Sequence, residues 1–181
     1  GNVYVVLADL SAYPSHSLKL AKIDRSGAIV FQRTIDNLGG NTGGSYAQFA
    51  LGSDNQFSII YSVYPERRFA RANLEGVITT QPRPIQLALS GILFTSDRLG
   101  NLYMFGRDNT PNGTVAYQNL NERDGSPIGN PVVIRQGTEY AALLDFEYNN
   151  GKLHFFWREY IGSVKNLYYS QYDTVTNQPI V

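Results

Sequence analysis

Short apolar runs alternate with clusters of Asp, Asn, Ser and Gly along the whole chain. Runs at 3–7, 57–61, 102–105 and 153–157 each follow a turn-forming cluster. Those clusters are Gly1-Asn2, Ser53-Asp54-Asn55-Gln56, Asp97-Arg98-Leu99-Gly100-Asn101 and Asn149-Asn150-Gly151-Lys152. The runs begin 54, 45 and 51 residues apart. A second turn series falls between them: Asp24-Arg25-Ser26-Gly27, Asn73-Leu74-Glu75-Gly76, Asn121-Glu122-Arg123-Asp124-Gly125, and a longer glycine-free version at 173–177. Its leading residues are 49, 48 and 52 apart. Asp and Asn start turns by folding their side chain onto the backbone ahead, and Gly supplies the positive φ of a tight hairpin. Two independent turn series therefore share a period of about 50 residues, within the range of propeller blades.

No segment sustains a 3.6-residue period over 11 residues. Residues 140–148 come nearest to a buried helix, but their place in the repeat makes them a strand. Each unit then reads as four strands. The second has 46–51, 57–64, 68–73 and 77–80; the third, 87–95, 102–107, 114–121 and 131–134; the fourth, 140–148, 153–159, 166–173 and 179–181. The first lacks its inner strand and has 3–8, 17–24 and 28–35. Pro65, Pro82, Pro84, Pro111, Pro127 and Pro131 are expected in loops or at strand ends, where a missing N–H is tolerated. A sandwich gives no reason for turns at a fixed period, whereas a propeller repeats one four-stranded meander. The expected fold is an all-β β-propeller of four blades in one domain, with units at about 1–44, 45–84, 85–137 and 138–181. The missing inner strand marks it as a partial ring, or as one completed by another chain.

The segment from Leu18-Lys19-Leu20 through Lys22-Ile23-Asp24-Arg25-Ser26-Gly27-Ala28-Ile29 to Phe31, Arg33 and Thr34 resembles a repeat of secreted bacterial and archaeal β-propellers. That repeat carries a K-[LI]-D-x-x-G core, a tryptophan where Phe31 stands, and a Gly pair that Gly39-Gly40 resembles. Unit two matches in part, and the match fades in units three and four. The resemblance implies propeller architecture and an extracellular or cell-surface setting, and it implies no particular activity.

Charge narrows the partners. Fifteen basic and fifteen acidic residues cancel, which leaves no electrostatic footprint for nucleic acid or anionic membrane. No apolar run is long enough to span a bilayer. The chain has no Cys, so thiolate metal sites and thiol catalysis are excluded. His16 reads as an exposed loop residue and His154 as a packed core residue, which leaves no paired-His site. No metal and no cofactor are expected. Ser96-Asp97-Arg98-Leu99-Gly100-Asn101 only loosely echoes the Asp-box turn of sialidase-type propellers.

One constellation recurs after each second strand: Ala8-Asp9, Ser62-Val63-Tyr64, Arg107-Asp108-Asn109 and Arg158-Glu159-Tyr160, with Tyr13, Arg67 and Arg68 in the same loop class. Tyr and Arg anchor interfaces, and Tyr stacks on sugars and peptides. The candidate ligand-binding residues are therefore Tyr13, Tyr64, Arg67, Arg107, Asp108, Arg158, Glu159 and Tyr160, and no catalytic residue stands out. The main expectation is a non-catalytic binding or scaffold module that recognises glycan or protein through one loop face. Two alternatives are a carbohydrate-active enzyme domain, for which Asp9, Asp108, Asp145 and Glu159 supply carboxyl groups, and an assembly module that associates with itself or with the rest of a larger propeller. Asn112-Gly113-Thr114 fits the N-glycosylation pattern.

Overall fold

A computed structural model describes residues 1–11, 15–39, 47–108, 113–137, 141–161 and 163–181. Every regular element in them is a strand. The first sheet holds β1 (Val3–Asp9), β2 (His16–Ile23) and β3 (Ile29–Gly39). The second holds β4 (Ala47–Leu51), β5 (Gln56–Val63), β6 (Glu66–Asn73) and β7 (Ile78–Ile85). The third holds β8 (Ser90–Ser96), β9 (Asn101–Arg107), β10 (Thr114–Asn121) and β11 (Pro127–Gln136). The fourth holds β12 (Ala141–Asn149), β13 (Lys152–Ile161), β14 (Val164–Asp173) and β15 (Gln178–Pro179). All four are antiparallel meanders in chain order, and the fold is all-β, of the β-propeller class. The first sheet has three strands, as its missing inner strand requires.

Both turn series do what their residue types dictate. Asp24 Oδ1 accepts from the amides of Ser26 and Ala28, Asn73 Oδ1 from those of Glu75 and Val77, and Asp173 Oδ1 from those of Val175 and Thr176. Gly27 and Gly76 hold φ of 86° and 77° at the matching place. In the other series Asp97 Oδ1 accepts from Leu99 and Asn101 amides, so the residue behind the loose Asp-box echo caps its own turn. Asn55 and Asn150 take positive φ there, the non-glycine residue type that tolerates it best.

The chain divides into two compact units. One is residues 1–86 with 123–125; the other is residues 87–122 with 126–181. In the first, Leu18, Leu20 and Ile35 pack with Phe57, Ile59, Tyr61, Ala70 and Ala72 between the first and second sheets. In the second, an aromatic core joins the third and fourth sheets. Phe155 lies 5.0 Å from both Phe105 and Phe146, 5.4 Å from Tyr117 and 5.7 Å from Tyr172, measured between ring centroids. Each such ring buries roughly 150–250 Å², so this cluster dominates the unit's stability.

Three expectations need correcting. Pro82 and Pro84 lie within β7, and Pro131 lies within β11, rather than in loops. Both are edge strands, where one row of backbone N–H groups has no ladder partner to lose. His16 is buried and opens β2 rather than sitting exposed in a loop. His154 is not core: it shares a strand with buried Leu153 and Phe155, so alternation turns it to the opposite face, where its ring meets the Tyr169 hydroxyl at 2.9 Å.

Candidate functional site

In the first unit the expected residues gather at the end of the sheets that carries the β1–β2 connection and the β5–β6 hairpin. Asp9 closes β1. Its Oδ2 accepts from Lys19 Nζ at 2.6 Å and its Oδ1 from the Ser11 amide and hydroxyl. The Lys19 bond, with Ser11 second, holds this carboxyl well below the usual range. Tyr64 sits in the β5–β6 turn before Pro65, across a cis peptide, and is 72% exposed. Arg67 is half-buried on β6, and burial lowers its pKa. Tyr13 lies outside the described residues.

Beneath these residues runs a polar brace. Asp36 on β3 accepts from the Tyr61 hydroxyl on β5 at 2.8 Å and from Arg68 Nη1 on β6 at 2.9 Å, both on Oδ2. Burial, then the hydrogen bond to Asp36 and its charge, raises the Tyr61 pKa, so this phenol stays a donor. Glu66 reaches Arg68 at 3.4 Å.

The second unit carries a joint of the same design with reversed charge. Arg135 on β11 contributes the cation, and its Nε lies 2.9 Å and 3.0 Å from the two oxygens of Glu159 on β13. Trp157 Nε1 donates to Glu159 Oε1 at 2.6 Å. Arg135 also lies over the Tyr168 ring at 4.4 Å, and that ring stacks on Trp157 at 5.5 Å. Glu159 is 3% exposed, so this carboxylate is a buried anchor with its oxygens engaged.

The other expected residues of this unit are Arg107, Asp108, Arg158 and Tyr160. Arg107 ends β9, and its carbonyl accepts from the Ser90 hydroxyl. Asp108 closes the β9–β10 loop: its amide donates to the Thr114 carbonyl and its Oδ1 accepts from the Thr114 amide, each at 3.0 Å. Arg158 and Tyr160 alternate with Glu159 and point to the opposite face of the sheet. There the Arg158 guanidinium lies 4.9 Å and Lys165 Nζ 5.7 Å from the Tyr160 ring centre. The Arg158 Nε is buried with no hydrogen-bond partner among the described residues.

Sequence neighbours in the expected set are thus split between two faces, and Arg158 and Glu159 do not pair. Sequence reasoning missed Lys19, which meets Asp9 across two strands of the first sheet, and Asp36, Tyr61, Arg135, Trp157 and Tyr168, which build the two joints between neighbouring sheets. Among the described residues no group of three or more His, Cys, Asp or Glu is placed to hold a metal, and no helix is long and apolar enough to cross a membrane. Asn112 of the glycosylation triplet lies outside the described residues.

No protein-family model matches the sequence, and no curated protein matches it. Solved structures do resemble it. An endo-1,4-β-xylanase from Bacteroides thetaiotaomicron matches with a TM-score of 0.60 at 11% identity, over 99% of this chain and 67% of its own. A xylan β-1,4-xylosidase from Bacillus halodurans matches with 0.59 at 14% identity, over 96% of this chain and 38% of its own. The catalytic domain of an α-L-arabinofuranosidase from Coprinopsis cinerea matches with 0.54 at 13% identity, over 98% of this chain and 62% of its own. The chain thus spans 38% to 67% of these proteins' lengths. At such identities the likeness establishes the propeller fold and nothing finer.

Proposed function

We propose that this chain is part of a carbohydrate-active β-propeller that handles a xylan-type polysaccharide at the loop ends of its sheets. The observation that carries the proposal is the likeness, over nearly the whole of this chain, to a xylanase and a xylosidase. Exposed Tyr64, with Arg107, Arg158 and Tyr160, supplies the stacking and hydrogen-bonding groups that sugar recognition needs. A polymer too large to enter a cell fits the extracellular or cell-surface setting expected from the repeat.

A second reading, a glycan-binding module without catalysis, has its own support. Glycoside hydrolysis uses two carboxyl groups flanking the scissile bond. Asp9, Asp36 and Glu159 are each held by a cation, and Asp108 closes its loop. Carboxylate oxygens engaged this way are committed to partners within the protein.

Incubation with xylan and arabinoxylan separates the readings. Reducing ends that appear with the protein and are lost in an Asp9→Asn, Asp36→Asn or Glu159→Gln variant support catalysis by that carboxylate. Retarded migration in xylan-containing gels without release supports the binding module, and Arg107→Ala with Arg158→Ala then abolishes retardation in a folded protein. Neither release nor retardation overturns the carbohydrate reading.

A further inference from the structure

The two sheets of the first unit repeat one position at their loop ends. Val3 and Phe57 pair with Ile23 and Ala72, the residues that precede the repeated Asp24 and Asn73 turns. Seven residues on from Val3 and Phe57 lie Leu10 and Tyr64. Leu10 follows β1 and is 55% exposed, and Tyr64 opens the β5–β6 turn and is 72% exposed. Among the described residues Tyr64 makes no ring contact and no hydrogen bond through its hydroxyl. Two large apolar side chains thus stand in water at matching tips, beyond the ends of their strands. Exposed apolar groups rimmed by polar ones mark interaction sites.

The tips are held close to each other. Asp36 pairs with Leu18, which lies opposite Ala8, next to the Asp9–Ser17 pair that closes β1. Tyr61 lies two residues short of Val63, which closes β5. The bond from Tyr61 to Asp36 therefore joins the sheets just below both tips, and Arg68 donates to the same oxygen. Tyr64 stands on a braced hairpin, which lowers the ordering cost of binding. Polar groups flank each tip: Asp9, Ser11 and Lys19 by Leu10, and Glu66 and Arg67 by Tyr64. Charge at this end balances, with Lys19, Arg67 and Arg68 matched by Asp9, Asp36 and Glu66. Such a surface does not select a charged ligand. Two separate apolar tips among polar groups fit a long neutral ligand with apolar faces and many hydroxyls.

The geometry points to Leu10 and Tyr64 as two contact points along one uncharged glycan chain, the Tyr64 ring stacking on one sugar and Leu10 packing on another farther along. An aromatic ring supplies a large apolar face, and the polar groups beside it take the hydroxyls. Two spaced contacts on one ligand reward length, because a chain that spans both gains affinity over one that reaches a single tip. The inference rests on the carbohydrate reading and adds to it the path of the chain and the need for a long one.

Calorimetric titration of the 181-residue chain with xylobiose and with xylohexaose tests it. Xylohexaose is expected to bind about tenfold more tightly than xylobiose. Tyr64→Ala weakens xylohexaose about tenfold and Tyr64→Trp preserves its affinity, both with an unchanged circular dichroism spectrum. Leu10→Ser removes the advantage of length, lowering the affinity for xylohexaose and leaving that for xylobiose unchanged. Equal affinity for the two sugars, or xylohexaose binding indifferent to Tyr64→Ala or to Leu10→Ser, overturns the inference and leaves the carbohydrate reading standing. Binding of neither sugar overturns both.

Discussion

Asp36 and Tyr61 are joined by a 2.8 Å hydrogen bond that ties β3 of the first sheet to β5 of the second, and Arg68 donates to the same carboxylate oxygen. The two donors are not equivalent. Tyr61 is buried, whereas the Arg68 side chain is 28% exposed. Tyr61→Phe removes one donor and leaves Asp36 paired, so a loss of about 1 kcal/mol is expected. Asp36→Ala strands the Tyr61 hydroxyl and a partly buried guanidinium together, and about 3 kcal/mol is expected. Urea denaturation of the two variants checks the order.

Glu159 has the same standing in the second unit. Glu159→Ala leaves Trp157 Nε1 without its acceptor and Arg135 without its anion, with an expected loss of about 3 kcal/mol. Glu159→Gln keeps an acceptor for the indole and costs less. Trp157 is the only tryptophan, so its fluorescence reports the site directly. Glu159→Ala is expected to change the emission spectrum and Glu159→Gln to change it little.

Much of the fold was legible because its signals are local. Asp24, Asn73, Asp97 and Asp173 each cap a turn within four residues of themselves, and a repeated turn fixes the strands on either side. The candidate site was less legible. Its braces join residues 24 to 32 positions apart on different sheets, as with Glu159–Arg135, Tyr61–Asp36 and Arg68–Asp36, and nothing in the local pattern announces such a partner. His154 was misread for a related reason. An aromatic run next to buried residues looks like core, but strand alternation sends every second side chain to the far face. Pro82 and Pro84 suggested a loop because edge position is a property of the assembled sheet.

Gly27 and Gly76 occupy the same place in repeated turns, yet their surroundings differ. Both hold positive φ, which costs a residue with a Cβ about 1 kcal/mol. A Cβ at Gly27 meets open space, whereas one at Gly76 lies 2.6 Å from Phe31 Cε2 and 2.9 Å from Arg33 Cγ. Gly27→Ala is expected to cost about 1 kcal/mol, and Gly76→Ala a further 1–3 kcal/mol from overpacking. Thermal unfolding of the pair isolates the packing contribution from the backbone one.

Acid should act through the turn carboxylates. The Ser26 hydroxyl bond lowers the pKa of Asp24, and the Thr176 amide bond does so for Asp173. For Asp54 partial burial opposes ionisation, but the Arg71 bond and charge outweigh it. A folded pKa below the unfolded value of 3.8 gives stability that is present above that pH and is lost as pH falls through the folded pKa. Stability from these groups is therefore expected to hold steady above about pH 5 and to decline below about pH 4. Replacing Asp54 with Asn should flatten the acid limb in pH-dependent urea midpoints.

The carbohydrate proposal is tested most directly by the backbone amide spectrum of ¹⁵N-labelled protein titrated with a xylo-oligosaccharide. Perturbations are expected to cluster at Tyr64, Arg67, Arg107, Asp108, Arg158 and Tyr160, with the buried Trp157 indole resonance little moved. No perturbation at ~10 mM sugar, or perturbations confined to residues away from the loop ends, would contradict the account.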